Sequence, residues 1–456
     1  INTYFSGEIC SVSNLPFIVN TLIRSYRLLF RENVDRDLLN MIETFLRKSV
    51  NALKTKPLYG DLRRLAGASA LIDFDKIFLD HYALIKAEDF LSEMININID
   101  GLYKDKSPMY NMSINSNLLN IAKKMNRPYL IEYIRRNLNF SLYNFHSNGE
   151  VVTEYSSLHR LESGLPKGYA VWKEMSIIDH NGYYASASDL VLDVFLSNMK
   201  DGFCRFYIND PNFRPNGRLL SKFFVTSNIG ELLLAEDEFD NNAIKRLPLP
   251  CKFEKFFSGS NIVRFRDGKM SATIMGNNDI LFAIRNGQVI IDGFRIRFLY
   301  SNFHNFMPSK IEASPKSYIL KESYTCDNLT PDQTAQTSAK EFEIITEFSR
   351  TANGFDIDIS ATGQKDIPLL LEFGIRKQGT LISDGNEYDL NNLDFHYIDN
   401  GQAIIKCGDD RISILGGVVQ HKIYDNDNTW TRNLSTASLM ITPLTPYYDK
   451  IQIICG

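Results

Sequence analysis

The chain has 456 residues, 44% hydrophobic and 23% charged, which is enough apolar surface for more than one core. Its net charge of -4 provides no polybasic footprint, which excludes nucleic acid as the main partner. No apolar run reaches the ~20 residues that a spanning helix needs, so no membrane span is expected. Cys10, Cys204, Cys251, Cys326, Cys407 and Cys455 are scattered, with no CxxC and no metal-ligand spacing. Because the chain begins at Ile1 rather than Met, we expect that a leader or N-terminal segment has been removed. Removal of a leader implies a secreted or periplasmic protein, and otherwise a cytoplasmic one is expected. Oligomeric state leaves no mark in the pattern.

The first half predicts helices. Leu15, Ile18, Val19, Leu22, Tyr26 and Leu29 recur at helical spacing, as do Leu38, Met41, Ile42, Phe45, Leu46 and Leu53. Further helices are predicted at 61–72, 75–97, 115–125 and 128–145, the last two parted by Asn126-Arg127-Pro128. Two more are predicted at Asp189 to Met199 and Leu219 to Leu234. Together these form helical hairpins in series.

Between two of the helical patterns lies a turn-rich loop, Asp100 to Asn111. Asp100-Gly101 opens a turn, and Ser107-Pro108 holds the chain out of helix just before the next one starts. The loop carries Tyr103 and Tyr110, and a phenol in a cleft can serve as general acid or base. Capping of the hydrophobic core is the competing role for both, in a chain with 22 tyrosines.

After about residue 248 the period changes. Ile262 to Phe265, Ser271 to Met275, Ile280 to Ile284, Val289 to Ile291 and Phe294 to Leu299 are short β-rich runs. Asp267-Gly268, Asn277-Asn278 and Asn286-Gly287 punctuate them as turns. The texture continues through Phe355 to Ile359, Ile404 to Lys406 and Ile412 to Leu415. Many short strands with close turns imply antiparallel sheets packed face to face. We therefore expect a multidomain α and β chain, with a helical domain at 1–246 and an antiparallel β-sandwich domain at 251–456.

The run DGLYKDKSPMYN at 100–111 resembles the DG-x-Y-x-E-x-S-P-x-Y-H signature of heparinase II/III-like polysaccharide lyases. SNGEVVTEYSSLHR at 147–160, IIDHNGYYASASDLVL at 177–192 and FSGSNIVRFRDGKMSATIMGNNDILFAIRNG at 257–287 are similar to other pieces of that family. The resemblance implies an incomplete (α/α) toroid joined to a β-sandwich, and β-elimination beside a uronic acid in an acidic polysaccharide. That chemistry needs a base, a proton for the leaving oxygen and neutralisation of the carboxylate, with no organic cofactor and no metal inherently required.

On this resemblance Tyr110 is the proton-transfer group, Asn111 stands where the family has His or Gln, and Asp105 replaces the usual Glu. His159 and Arg160 resemble a polar pair facing the cleft, where an arginine can fork onto a carboxylate and a histidine can shuttle a proton. We thus expect Tyr110, His159 and Arg160 as catalytic residues and Tyr103 and Asn111 as substrate-binding ones. His180 and Tyr183 form another candidate substrate-binding pair. Where the family carries an Asn-His pair, Tyr59 to Ala66 has no histidine, and Arg63 or Arg64 is the substitute charge. Adjacency lets at most one of the two face a cleft. His304, His396 and His421 are far apart in sequence, so no structural zinc is expected. Two alternatives stay open. One is a glycoside hydrolase using two of Asp105, Glu154, Glu162 and Glu174; the other is a non-catalytic glycan-binding or assembly protein.

Overall fold

The computed structural model describes residues 14–32, 35–156, 164–199, 244–300, 302–325, 341–423 and 435–456. The chain divides into two compact units.

The described part of the helical unit contains α1 (Leu15–Arg31), α2 (Arg36–Thr55), α3 (Asp61–Phe78), α4 (His81–Ser92), α5 (Pro108–Lys124), α6 (Leu130–Ser141), α7 (Tyr169–Ile178) and α8 (Gly182–Met199). α1, α3, α5 and α7 pack in succession, while α2, α4 and α6 each pair with the odd-numbered helix before them. α3 lies in the middle of this row, and from Asp61 to Asp75 only Arg63 is exposed. Its small residues allow that burial: a Cβ on Gly67 would stand 2.5 Å from Leu58 Cδ1 and 3.2 Å from the Phe90 ring. Polar side chains tie the row together. Asn20 of α1 donates to Ala66 O at 3.0 Å and to Asn117 Oδ1 at 3.3 Å, and Lys124 of α5 pairs with Asp73 of α3.

The helix boundaries differ from expectation in three places. α3 runs unbroken through the predicted gap at 72–75 and ends at Leu79, in left-handed backbone at φ 56, after which Asp80 caps α4. α5 starts at Pro108 because the Ser107 hydroxyl accepts from Tyr110 N at 3.2 Å and proline suits a first turn. α7 was not predicted, and α8 begins already at Gly182 under an Asn181 cap on Tyr183 N at 2.9 Å. The predicted helix Leu219 to Leu234 lies outside the described residues.

The second unit holds two antiparallel-rich sheets. The first contains β1 (Lys252–Phe257), β2 (Ile262–Asp267), β3 (Met270–Met275), β4 (Phe282–Asn286), β5 (Val289–Tyr300), β6 (Asn302–Asn305), β11 (Leu369–Arg376), β14 (Phe395–Tyr397) and β17 (Thr436–Ile441). Its order is β1-β2-β3-β4-β5-β11-β17-β14, with β6 also on β5; among the described strands only β14 and β17 run parallel. The second contains β7 (Ile311–Ala313), β8 (Ser317–Thr325), β9 (Glu341–Thr351), β10 (Gly354–Thr362), β12 (Thr380–Ser383), β13 (Asn386–Asp389), β15 (Gln402–Cys407), β16 (Asp410–Leu415) and β18 (Tyr447–Cys455). Its order is β13-β12-β15-β16-β18-β10-β9-β8-β7.

Both sheets line one hydrophobic core, where Phe265 of β2 meets Phe355 of β10 edge-on at 4.9 Å between ring centroids. The runs predicted separately at 289–291 and 294–299 are one strand, β5. The pairing of β5 with β11 shifts register between Gly374, opposite Gly293, and Ile375, opposite Ile291. The described residues 143–156 also cluster with this unit, although they lie within the 1–246 expected to be helical.

Candidate functional site

In the helical unit the 98–107 loop is built on local bonds. Asn98 Oδ1 accepts from Asp100 N at 3.1 Å and Leu102 N at 2.9 Å, and Ile97 bridges Tyr103. Gly101, at φ +96, lies so close to α6 that a Cβ would stand 2.2 Å from Arg136 O. Asn137 Nδ2 donates to Gly101 O at 2.7 Å, Asn115 Nδ2 donates to Asn137 Oδ1 at 2.8 Å, and Tyr103 Oη donates to Asn115 Oδ1 at 2.8 Å. This ladder joins loop, α5 and α6. Tyr103 is its last rung and only 1% exposed, and burial pushes its phenol well above the usual range. The substrate-binding role expected for Tyr103 is therefore corrected: its hydroxyl is spent on the fold.

Arg64 needs the same correction. It is buried, and it donates to Glu93 O at 2.9 Å, Met94 O at 3.1 Å, Asp61 Oδ1 at 2.8 Å and the carbonyl of Phe90. The guanidinium thus holds the end of α4 against the start of α3. Arg63 is exposed on the other side, as adjacency on a helix requires. Asp105, half-buried, has its carboxyl raised first by burial and then by the charge of Asp61, with Arg63 and Lys104 opposing. Arg63, Asp61 and Asp105 are therefore electrostatic neighbours.

Tyr110 is half-buried in the first turn of α5, at the helix end that favours negative charge. Asn111, next to it, is buried, and its Oδ1 has no hydrogen-bond partner. His180 and Tyr183 are both exposed where α7 passes into α8, His180 in left-handed backbone at φ 48. His159 and Arg160 lie outside the described residues.

The β unit contains a cluster that the sequence reading only grazed, through Glu154. Tyr143 to Ser156 covers the face of β2, β3 and β4 turned away from the core, where Arg264, Ser271, Thr273 and Arg285 stand, all buried. Arg285 Nη1 donates to Glu150 Oε2 at 2.6 Å, and its Nε lies 3.4 Å from Glu154 Oε1. His146 Nε2 stands 3.2 Å from the same oxygen, and its Nδ1 is 3.0 Å from Ser271 Oγ. Arg264 donates to Ser271 Oγ at 2.9 Å, Thr273 Oγ1 at 2.6 Å and Ala272 O at 2.7 Å. Glu154 can only accept, so a neutral imidazole faces it with its proton on Nε2, and Nδ1 then accepts from the Ser271 hydroxyl, whose oxygen also accepts from Arg264.

Burial, then the charge of Arg285, push the His146 pKa down to about 4, so the ring is neutral. Burial opposes the charge on Glu154, but His146 and Arg285 overcome it and hold the carboxyl below its usual range. Two guanidiniums, Arg264 and Arg285, then balance two carboxylates, Glu150 and Glu154. Ser271, His146 and Glu154 follow the order hydroxyl, imidazole, carboxylate that activates a nucleophile. Their exposures of 1%, 3% and 3% leave no way in for a substrate, so the cluster is a staple between the covering segment and the sheet. A clue was present in the sequence: Arg264 and Arg266 alternate with Val263 and Phe265, so the face of β2 turned away from the core carries two guanidiniums whose donors a covering segment must help to satisfy.

Among the described residues no group of three or more His, Cys, Asp or Glu is placed to hold a metal ion, and no helix is long and apolar enough to cross a membrane.

No protein-family profile matches the chain, and no curated protein matches it in sequence. Solved structures do match in fold. A heparinase III gene product aligns over 92% of this chain and 63% of its own at TM-score 0.50 and 11% identity. The heparan sulfate lyase HepC from Pedobacter heparinus aligns over 91% of this chain and 64% of its own at TM-score 0.44 and 9% identity. The Streptomyces coelicolor A3 chondroitin AC lyase, in complex with chondroitin sulphate, aligns over 95% and 64% at TM-score 0.45 and 10% identity. The chain thus spans less than two thirds of the length of these enzymes, and the likeness is one of fold.

Proposed function

We propose that this protein is a lyase-like protein that cleaves a uronic-acid-containing polysaccharide by β-elimination, on an incomplete (α/α) toroid followed by an antiparallel β-sandwich. The observation that carries the reading is the fold-level likeness to a heparinase III over 92% of the chain. Elimination removes the C5 proton beside the uronate carboxylate and breaks the adjacent C4–O bond, so that a C4–C5 double bond forms and the glycosidic oxygen leaves and is protonated. Tyr110 is the proposed proton-transfer group; its place in the first turn of α5 supports this, since a phenolate there meets the positive end of the helix. Arg63, exposed on α3, is the proposed contact to the sugar on the described part of the chain, and Asn111, whose side-chain oxygen lacks a partner but which is 1% exposed, is proposed to join it only where binding uncovers its side chain. His159 and Arg160 are proposed as the groups that share the proton and neutralise the carboxylate. His180 and Tyr183, both exposed, are proposed as further contacts to the sugar.

Two observations weigh against the hydrolase alternative. Glu154 is sealed in the β unit, and Glu174 pairs with Lys123 at 2.7 Å. Incubation with a panel of uronate polysaccharides should give the ultraviolet absorbance of an unsaturated uronate. Tyr110→Phe should then lower kcat by at least ~100-fold with little change in KM. Near-wild-type turnover in that variant would remove Tyr110 from the mechanism. A wild type that binds acidic glycans without turnover would favour the binding-protein reading.

A further inference from the structure

The second sheet turns one side to the core and leaves the other open. Along β18, Tyr447, Ile451 and Ile453 are buried, while Tyr448, Lys450, Gln452 and Ile454, alternating with them, are exposed, Tyr448 by 67% and Ile454 by 38%. Strand register extends that outer side across the sheet: Ile382 of β12 stands opposite Ile404 of β15, Ile404 opposite Ser413 of β16, and Ser413 opposite Ile454. Antiparallel sheets that face water place polar residues at such positions, and an apolar row there favours a covered face.

Charge on this face is sorted by strand. Lys406 of β15 and Arg411 of β16 are direct cross-strand partners, and both are exposed. Glu347 of β9 and Asp358 of β10 are likewise direct partners, both half-buried. Like charges set opposite each other weaken a ladder, and here that cost occurs on both halves of the face with opposite sign. On the acidic half Lys450 is shared by Asp356 and Asp358, at 3.3 and 3.5 Å, and Lys321 pairs with Glu343 at 2.9 Å, so carboxylates still outnumber ammonium groups. The strand order β15-β16-β18-β10-β9 centres β18: the basic pair lies one and two strands to one side of it, the acidic pair one and two strands to the other.

We propose that this face is a two-fold interface between two copies of this chain. A closed dimer uses one patch twice, so the patch must complement itself. With the dyad in the plane of the interface, midway between the two charge pairs and crossing β18, Lys406 and Arg411 of each copy meet the Glu347 and Asp358 side of the other, and the isoleucine row is enclosed with them. Six strands from β12 to β9 at ~4.8 Å spacing and a nine-residue β18 at ~3.4 Å per residue outline an area on the order of 800 Å² per copy, which is what a standard interface takes from each partner. A charge arrangement that weakens the single chain becomes favourable in the pair. The inference is independent of the lyase reading, because it draws on the outer face of the second sheet alone.

Sedimentation velocity of the full chain over a range of concentrations tests it. Wild type should form a dimer that weakens as sodium chloride is raised. Lys406→Glu and Glu347→Lys, each alone, should weaken the dimer about tenfold or more, because a two-fold axis makes each reversal act twice. The two together should restore it, since they exchange the signs and keep the complementarity.

Thermal unfolding at low protein concentration separates loss of the interface from loss of the fold. Each single reversal turns a like cross-strand pair into an opposite one, so the variant's midpoint should be no lower than that of wild type. A fall would remove the opposed like charges on which the proposal rests. A wild type that stays monomeric at every concentration, leaving the face to solvent or to a different chain, overturns the proposal. So does a dimer indifferent to both single reversals, which would lie on another surface, and so does a double variant that stays dissociated.

Discussion

The staple in the β unit makes a quantitative prediction about acid. An unfolded imidazole takes up its proton near pH ~6.5, whereas buried His146 does so only at about 4. Between these values the unfolded chain holds more protons than the folded one, so unfolding becomes easier as pH falls. At ~1.4 kcal/mol per pH unit the whole interval is worth about 3 kcal/mol, of which about 2 kcal/mol falls between pH ~6.5 and ~5. Glu154 leaves that upper interval untouched. Its folded carboxyl is held below the usual range, so its contribution is present above the unfolded carboxyl value of ~4.5 and is lost only below it. His421, also pushed down by burial, acts with the same sign as His146 and must be subtracted. The measurement is therefore a difference: urea unfolding of wild type and His146→Gln, followed by circular dichroism across this range. The gap between the two free energies should shrink by about 2 kcal/mol from pH ~6.5 to ~5, because the glutamine cannot be protonated. Parallel curves would refute the neutral, buried imidazole and with it the proton placement on Nε2.

Two further outcomes follow from the helical unit. Arg64→Met strands the Asp61 carboxylate and the carbonyls of Phe90, Glu93 and Met94, and should cost about 3–5 kcal/mol in urea unfolding; a loss under about 1 kcal/mol would mean that water replaces the guanidinium. Gly101→Ala drives a Cβ to 2.2 Å from Arg136 O at φ +96 and should lower stability by more than ~1 kcal/mol together with any activity of Tyr110, whereas full stability would show that the loop has room to shift.

What could be read from the sequence, and what could not, divides along physical lines. Helical spacing located α1 and α2 because each presents one apolar face and one wet one, and that contrast is what periodicity detects. It failed on the extent of α3, which is buried nearly all round and has no polar face to mark its period, so a break was expected where none exists. It missed α7 for a related reason: ten residues without a side-chain cap give little local signal, and its burial comes from neighbours distant in sequence. Turn chemistry was a better guide in the β unit, where Asp267-Gly268 and Asn286-Gly287 do close hairpins, both glycines standing at φ 57.

Charged residues were the hardest to place, because a charge is silent about its partner until the fold brings the partner near. Arg63 and Arg64 differ by one position, yet one is exposed and the other closes four hydrogen bonds in the core. The Arg285 to Glu150 contact spans 135 residues of sequence, so no spacing rule could have found it. Tyr103 and Tyr110 show the same limit within one motif. Both were candidates on equal chemistry, and burial alone separates them: one phenol is tied to Asn115 in the interior, and the other is half-buried at a helix end where a negative charge is welcome.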